Sequence, residues 1–265
     1  MTAAVTRKRS LEGTVECKVA KVSKGDVKDA AASFDLSTIK LREEGDKGTL
    51  EYRVFFDTPE GPISPWHKIP LYTSDDSSDC NMIVEIPKWT RAKFEISTKE
   101  SNNPIKQDEK KGVLRDYKWG DMCFNYGAFP QTWEDPSDVS EDTGHKGDDD
   151  PLDVIEVGAR QLKTGEVVPV KVLGVLAMID DGETDWKVLV IRKDDLLADK
   201  INDVDDLEVE LPGAVGAIRE WLRVYKLPEG KPENSFGLEE KAMPKEYAMK
   251  VIAETHELWA KKYKS

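Results

Sequence analysis

Gly147-Asp148-Asp149-Asp150-Pro151-Leu152-Asp153 holds four carboxylates within six residues, with no Lys or Arg between them. As free groups these acids are ionised at neutral pH, and crowding them costs repulsion unless positive charge is present. Hard divalent cations such as Mg²⁺ prefer oxygen ligands of this kind. Asp148 and Asp150 are two apart, so in extended chain they point to one side. Pro151 lacks an N–H and biases Asp150 away from helix. Leu152-Asp153-Val154-Ile155-Glu156-Val157 then reads as a strand leaving the acidic turn, with Asp153 near its start. Taken alone, an acidic run reads most simply as a solvated loop. An EF-hand loop does not fit, because Leu152 and Asp153 stand where that motif needs Asp/Asn and Gly.

Strands lie on both sides of this turn. Downstream, the β-rich run Val167–Ile179 ends at the turn Asp180-Asp181-Gly182-Glu183, and Asp185–Ile191 leaves it. Upstream, Cys80–Ile86 is a strand stopped by Pro87, and Arg91–Ser97 is another. In the latter, Phe94 and Ile96 share one face and Lys93 and Glu95 the other. Asp185 and Lys187 repeat that carboxylate–ammonium spacing of two, which suits a site holding both metal ions and anionic oxygens. Lys111-Gly112 is a turn before the strand Val113-Leu114-Arg115, and the Asn125–Trp133 segment is aromatic and irregular. Asp135 to Gly147 is a loop. Thr49–Phe56 alternates as a strand, and Val15–Val22 is a candidate edge strand.

The last third has helical periodicity. Val215, Ile218, Trp221, Leu222 and Tyr225 recur at helical spacing after Pro212-Gly213, and Pro228 closes that segment. Tyr247, Ala248, Val251, Ile252, Thr255 and Leu258 mark a C-terminal helix started by Pro244. Short strands followed by helices predict an α+β domain, dominated by β and built on a small barrel or sheet. The predicted organisation is an N-terminal extension, partly disordered, over 1–46, and one domain over 47–265.

The chain has 265 residues, 38% hydrophobic and 34% charged, enough for a sizeable core. Its 39 Lys+Arg against 52 Asp+Glu leave a net charge of −13, which opposes nucleic acid and anionic lipid as partners. An anionic substrate then needs local positive charge from metal ions or from Lys and Arg. No apolar run approaches the ~20 residues of a membrane span. Cys17, Cys80 and Cys123 are far apart without zinc spacing, which points to a reducing, cytoplasmic setting. Arg7, Lys8 and Arg9 among Thr2, Thr6 and Ser10 give the alternative of a plastid or mitochondrial protein after transit-peptide removal. His67, His145 and His256 sit at no metal spacing; His256 reads as helix surface and the others as loop.

Several segments together resemble the soluble, Mg²⁺-dependent, single-domain inorganic pyrophosphatases (family I) of eukaryotic type. They are Val84-Glu85-Ile86-Pro87, Ala92-Lys93-Phe94-Glu95, Lys111–Arg115, Asn125–Asp135, Gly147–Val154, Asp180–Lys187 and Tyr225–Asn234. The resemblance runs from Val84 to Trp259. It implies a closed five-stranded β-barrel of the oligonucleotide/oligosaccharide-binding type with flanking strands and two main helices. The implied reaction is hydrolysis of inorganic diphosphate to two phosphates, with several Mg²⁺ ions per site. By resemblance, Asp148, Asp153 and Asp185 hold the activating metal, and Asp153 bridges to a second. Asp180 and Asp185, with Glu95 nearby, match positions for metals arriving with substrate. Asp150 matches the acceptor of a proton from the attacking water. Lys93, Arg115, Tyr126, Lys187, Tyr225 and Lys226 match phosphate contacts, and Glu85 a supporting acid.

One departure is visible. Members usually carry a tyrosine four residues before Tyr126, where this chain has Met122; Tyr117 is the candidate replacement. The resemblance also implies a homodimer, with Trp89 at an interface-aromatic position and Lys88 where an arginine often stands. Two other classes compete: an acidic Ca²⁺-binding protein, which leaves Lys93, Arg115 and Lys187 without a task, and an oligonucleotide-binding barrel, which the charge opposes.

Overall fold

A computed structural model describes residues 34–74 and 78–264. The candidate strand Val15–Val22 lies outside them. In chain order the first strands are β1 (Lys40–Glu44), β2 (Arg53–Thr58) and β3 (Gly61–Ile63), then the short helix α1 (Pro65–Lys68). β4 (Asp79–Ile86), β5 (Phe94–Ile96), β6 (Ile105–Gln107), β7 (Glu109–Lys110), β8 (Val113–Leu114) and β9 (Asn125–Ala128) follow. Next come β10 (Lys146–Gly147), β11 (Asp153–Glu156), β12 (Val167–Asp180) and β13 (Glu183–Arg192). Helices α2 (Val204–Glu210) and α3 (Ala214–Val224) precede β14 (Ser235–Phe236), β15 (Met243–Pro244) and α4 (Lys245–Tyr263).

Five strands pair in a circuit. β4 pairs with β9 and β9 with β11, both antiparallel. β11 runs parallel to β13, β13 antiparallel to β12, and β12 antiparallel to β4, which closes the circuit. A second sheet, ordered β1-β2-β6-β5 with β3 on β2, stands beside it. β1 lies before residue 47 and pairs along its whole length with β2.

The circuit strands are apolar on both faces, because both are covered. From β13, Trp186, Val188 and Val190 join the core beneath Ala248, Val251 and Ile252 of α4. Leu189 and Ile191 join the opposite core beneath Ile218, Trp221 and Leu222 of α3. Asp185 and Lys187 have the parity of this second face, as Asp153 has with Ile155. The charged residues therefore occupy one end of a face whose remainder is core, and α3 roofs them.

Three readings change at this scale. The strand expected from Thr49 starts only at Arg53, because Thr49 and Tyr52 close hydrogen-bonded turns onto Asp46 and Thr49. His67 is not in a loop: it lies in α1, stacks on Trp66 and accepts the Trp259 indole N–H at 2.9 Å. His256 is half-buried rather than on the surface, hydrogen-bonded to the Gln131 carbonyl at 2.6 Å and stacked on Trp259.

Candidate active site

The acidic turn is shaped by its backbone. Asp149 has φ +71°, a left-handed conformation that Asp and Asn tolerate better than most residues. Glu134 brackets the turn, its N–H donating to the Asp150 carbonyl and its carbonyl accepting from Asp149 N–H, both at 3.0 Å. Gly147 lets the two segments approach this closely: a Cβ there would stand 2.5 Å from the Glu134 carbonyl carbon. The Asp148 carboxylate accepts the Asp150 N–H at 3.1 Å. Asp153 then opens β11, in register with Lys187 of β13.

The β12–β13 hairpin delivers the opposite wall. Asp181 and Gly182 both have positive φ, as a tight two-residue hairpin requires. This places Asp180 at the end of β12 and Asp185 two residues into β13.

A cleft of ≈ 240 Å³ results. Glu85, Lys93, Glu95, Tyr126, Asp148, Asp150, Asp153, Asp180, Asp185, Lys187 and Tyr225 all line it. Arg115 and Lys226 are not on its wall but are tied to it. Arg115 donates to Asp108 at 2.6 Å, and Asp108 accepts from Lys93 at 2.9 Å. Lys226 donates to Asp180, which also accepts the Tyr225 hydroxyl at 3.1 Å. Tyr225 thus belongs to both the α3 core and the cleft. Tyr117 and Met122 line the cleft too, and the Tyr117 ring stands edge-on to Trp221 and Tyr225.

Cations and acids alternate along the wall. The Lys187 ammonium donates to Asp153 at 2.5 Å and to Asp185, and Tyr126 donates its hydroxyl to Asp153. Lys93 donates to Glu95 at 2.7 Å. Burial alone would lower Lys187, but Asp153 and Asp185 outweigh it and hold its pKa above the usual range. Burial lifts Asp185 well above a normal carboxyl, and Asp153 and Asp148 add to this against Lys187. Burial and the Asp153 charge likewise raise Glu85, which accepts the Ile96 N–H at 2.7 Å. Asp148 is pushed up to about 7 by desolvation and by Asp150 and Asp153. Asp150 keeps an open side to solvent, yet the surrounding walls desolvate its carboxyl and, with Glu95 and Asp153, push it up to about 7.

Three residues escaped the sequence reading. Asp108 joins Lys93 to Arg115. Asp149 turns away from the cleft. Glu134 is buried, and its Oε1 accepts the Trp186 N–H at 3.1 Å. Its Oε2 is buried with no hydrogen-bond partner among the described residues. Glu134, Asp148 and Asp185 present carboxylate oxygens all within 4.8 Å of one another. Glu134 lies in a quoted segment, but its burial is set by long-range packing and leaves no local signal.

The inorganic pyrophosphatase family profile matches residues 82–260. An inorganic pyrophosphatase of Caenorhabditis elegans is 52% identical over 237 residues, 88% of this chain and 56% of that relative, so the chain spans little more than half the nematode protein. The Debaryomyces hansenii inorganic pyrophosphatase is 51% identical over 227 residues, covering 83% of this chain and 78% of its own length. The chain belongs to the inorganic pyrophosphatase family. It is thereby an enzyme of a family that hydrolyses pyrophosphate to phosphate. Among solved structures of pyrophosphatases, an N-terminally truncated Trypanosoma cruzi vacuolar soluble pyrophosphatase in complex with PPi superposes with a TM-score of 0.83. It is 45% identical, over 96% of this chain and 99% of that one.

Proposed function

We propose that this cleft hydrolyses inorganic diphosphate to two orthophosphates with Mg²⁺ as the metal, each residue acting as its resemblance implies. The observation that carries the reading is the interleaving of acids and ammonium groups around one small cleft. Carboxylate oxygens converge as a divalent cation needs: Asp148 and Asp185 come within 4.8 Å of one another together with Glu134 rather than with Asp153, Glu134 Oε2 is a buried oxygen with no donor among the described residues, and Asp153 is joined to Asp185 through the Lys187 ammonium they share. Asp148, Asp153 and Asp185 would hold the activating metal, and Asp180, Asp185 and Glu95 those entering with substrate. Bound divalent metals supply Lewis acidity, lowering the pKa of water and neutralising charge on phosphoryl oxygens.

The side chains supply the rest. Asp150, at the open rim with a pKa of about 7, accepts the proton of the attacking water near neutral pH. Lys93 and Arg115, held together by Asp108, offer a fixed pair of donors to phosphate oxygens. Lys187 and Tyr126 serve the oxygens at the Asp153 wall, and Tyr225 and Lys226 those at the Asp180 wall. Each ammonium faces an acid, so phosphate oxygens at the ammonium groups and metal ions at the carboxylates would leave no charge unmatched. Tyr117 stands on the cleft wall in place of the tyrosine that Met122 replaces, and we assign it that hydroxyl.

The pairing circuit, with one parallel contact between β11 and β13, supports a closed five-stranded barrel of oligonucleotide-binding type. A homodimer belongs to the same reading. Trp89 is 60% exposed with φ +63°, a large apolar ring held out to solvent. Lys88 contributes less, because its ammonium is turned inward onto the Gly158 carbonyl. Sedimentation at the mass of one chain would remove the dimer. A reducing, cytoplasmic setting is supported by the free thiols Cys80 and Cys123; recovery in plastids or mitochondria would replace it. The activity is tested by phosphate release from diphosphate with Mg²⁺, without metal and with Ca²⁺. Rapid release with Mg²⁺ alone is expected. Ca²⁺ binding without hydrolysis under any metal would favour the Ca²⁺-binding class instead.

A further inference from the structure

Asp149 is the one member of the Asp148–Asp150 run that does not line the cleft. Its carboxylate points the other way, where Oδ1 accepts the Trp133 indole N–H at 2.9 Å. The Lys262 ammonium, at the end of α4, reaches the same oxygen at 3.5 Å and stands 3.4 Å from the centre of the Trp133 ring. Trp133 is itself fixed: it is 6% exposed, and its backbone N–H donates to the Thr255 carbonyl of α4 at 3.0 Å. The next residue, Glu134, holds the turn through its backbone. The turn is therefore gripped from inside the fold by Glu134 and from outside by Trp133 and Lys262.

The backbone alone does not call for an acid here. At φ +71° glycine would be at ease, and asparagine nearly so. What a carboxylate adds is the hydrogen bond to a rigid, buried indole, with the Lys262 cation over the ring. The exposed ion pair by itself contributes little. We propose that Asp149 is a positioning residue: by anchoring the turn to Trp133 and α4 it keeps the Asp148 and Asp150 carboxylates directed into the cleft. The inference rests on the hydrolase reading above. With the anchor gone, the turn samples other conformations, and ordering it again weighs on metal binding and turnover.

The test compares wild type with Asp149→Asn, Asp149→Gly and Trp133→Phe. Each is followed by thermal melting, by Mg²⁺ calorimetry without substrate, and by phosphate release from diphosphate. Asn keeps both the left-handed backbone and an oxygen for the indole, so D149N should stay within about twofold of wild type. Asp149→Gly keeps the backbone and loses the anchor, and Trp133→Phe keeps a ring and loses the donor. Both should weaken Mg²⁺ binding and lower kcat by about tenfold, with KM for diphosphate moving less. Wild-type Mg²⁺ affinity and kcat in D149G would overturn the proposal. So would losses in D149N equal to those in D149G, since charge rather than anchoring would then be at work. If Trp133→Phe does not fold, D149G decides. A wild-type protein that binds Mg²⁺ but releases no phosphate defeats the hydrolase reading instead, and is recognised before any variant is made.

Discussion

Asp148, Asp150 and Asp153 share a charge but not an environment, and in the proposed reading that difference separates their tasks. Asp153 is met by Lys187 and Tyr126. Asp150 faces the cleft with no such donor and has its pKa near neutrality, as a base working at neutral pH needs. Replacing Asp150 with Ala should lower kcat by roughly 10²–10⁴-fold without lowering the melting temperature, because only the backbone of Asp150 holds the turn and its raised carboxyl costs stability when ionised. Stopped phosphate-release kinetics beside a melting curve checks this, and unaltered turnover would remove Asp150 from the role. At this scale the sequence was legible wherever chemistry is written in spacing: Asp148/Asp150, Lys93/Glu95 and Asp185/Lys187 do converge. Asp108 and Glu134 were not legible. A lone acid between strands looks like any surface acid until the fold brings Lys93 and Arg115 to the one and buries the other.

The elements follow their local patterns where those patterns are long. Cys80–Ile86, Val167–Ile179 and Asp185–Ile191 became β4, β12 and β13 within a few residues. The stripe around Trp221 and the stripe behind Pro244 became α3 and α4. Short elements were missed. α2 spans only Val204–Glu210, with Asp203 capping it and acids at Asp205 and Asp206, so it carries too few apolar positions for a period to show. The closing of the strand circuit is also invisible locally, since register across β4 and β9 depends on residues far apart in sequence. Gly127 makes that pairing possible: a Cβ there would stand 1.9 Å from the Ile83 carbonyl oxygen on β4. Gly127→Ala should therefore force the two strands apart and destabilise the domain by about 3 kcal/mol or more. Urea unfolding measures it, and an unchanged midpoint would show that the contact relaxes freely.

The whole molecule carries a charge of −13 and concentrates raised carboxyls at one cleft, so its stability should depend on pH and metal together. Asp148 and Asp150 titrate at about 7 when folded, against 3.8 for an unperturbed Asp. Between those values the folded state binds more protons than the unfolded one, so stability falls as pH rises through that window. Glu100 works in the other sense: Arg53 and Lys106 lower it to about 2, so its stabilisation is present above its ordinary range and fades as pH falls towards 2. Metal-free protein should accordingly melt progressively lower as pH rises from about 4 through about 7, the interval over which the cleft carboxyls lose their protons. Mg²⁺ needs the ionised carboxylates, so it should raise the melting temperature most at the alkaline end and little near about pH 5. Calorimetric scans with chelator and with Mg²⁺ across that range give the comparison directly. A melting temperature that rises with pH in chelator, or a Mg²⁺ increment independent of pH, would mean that the cleft acids are not the groups that couple folding to the metal.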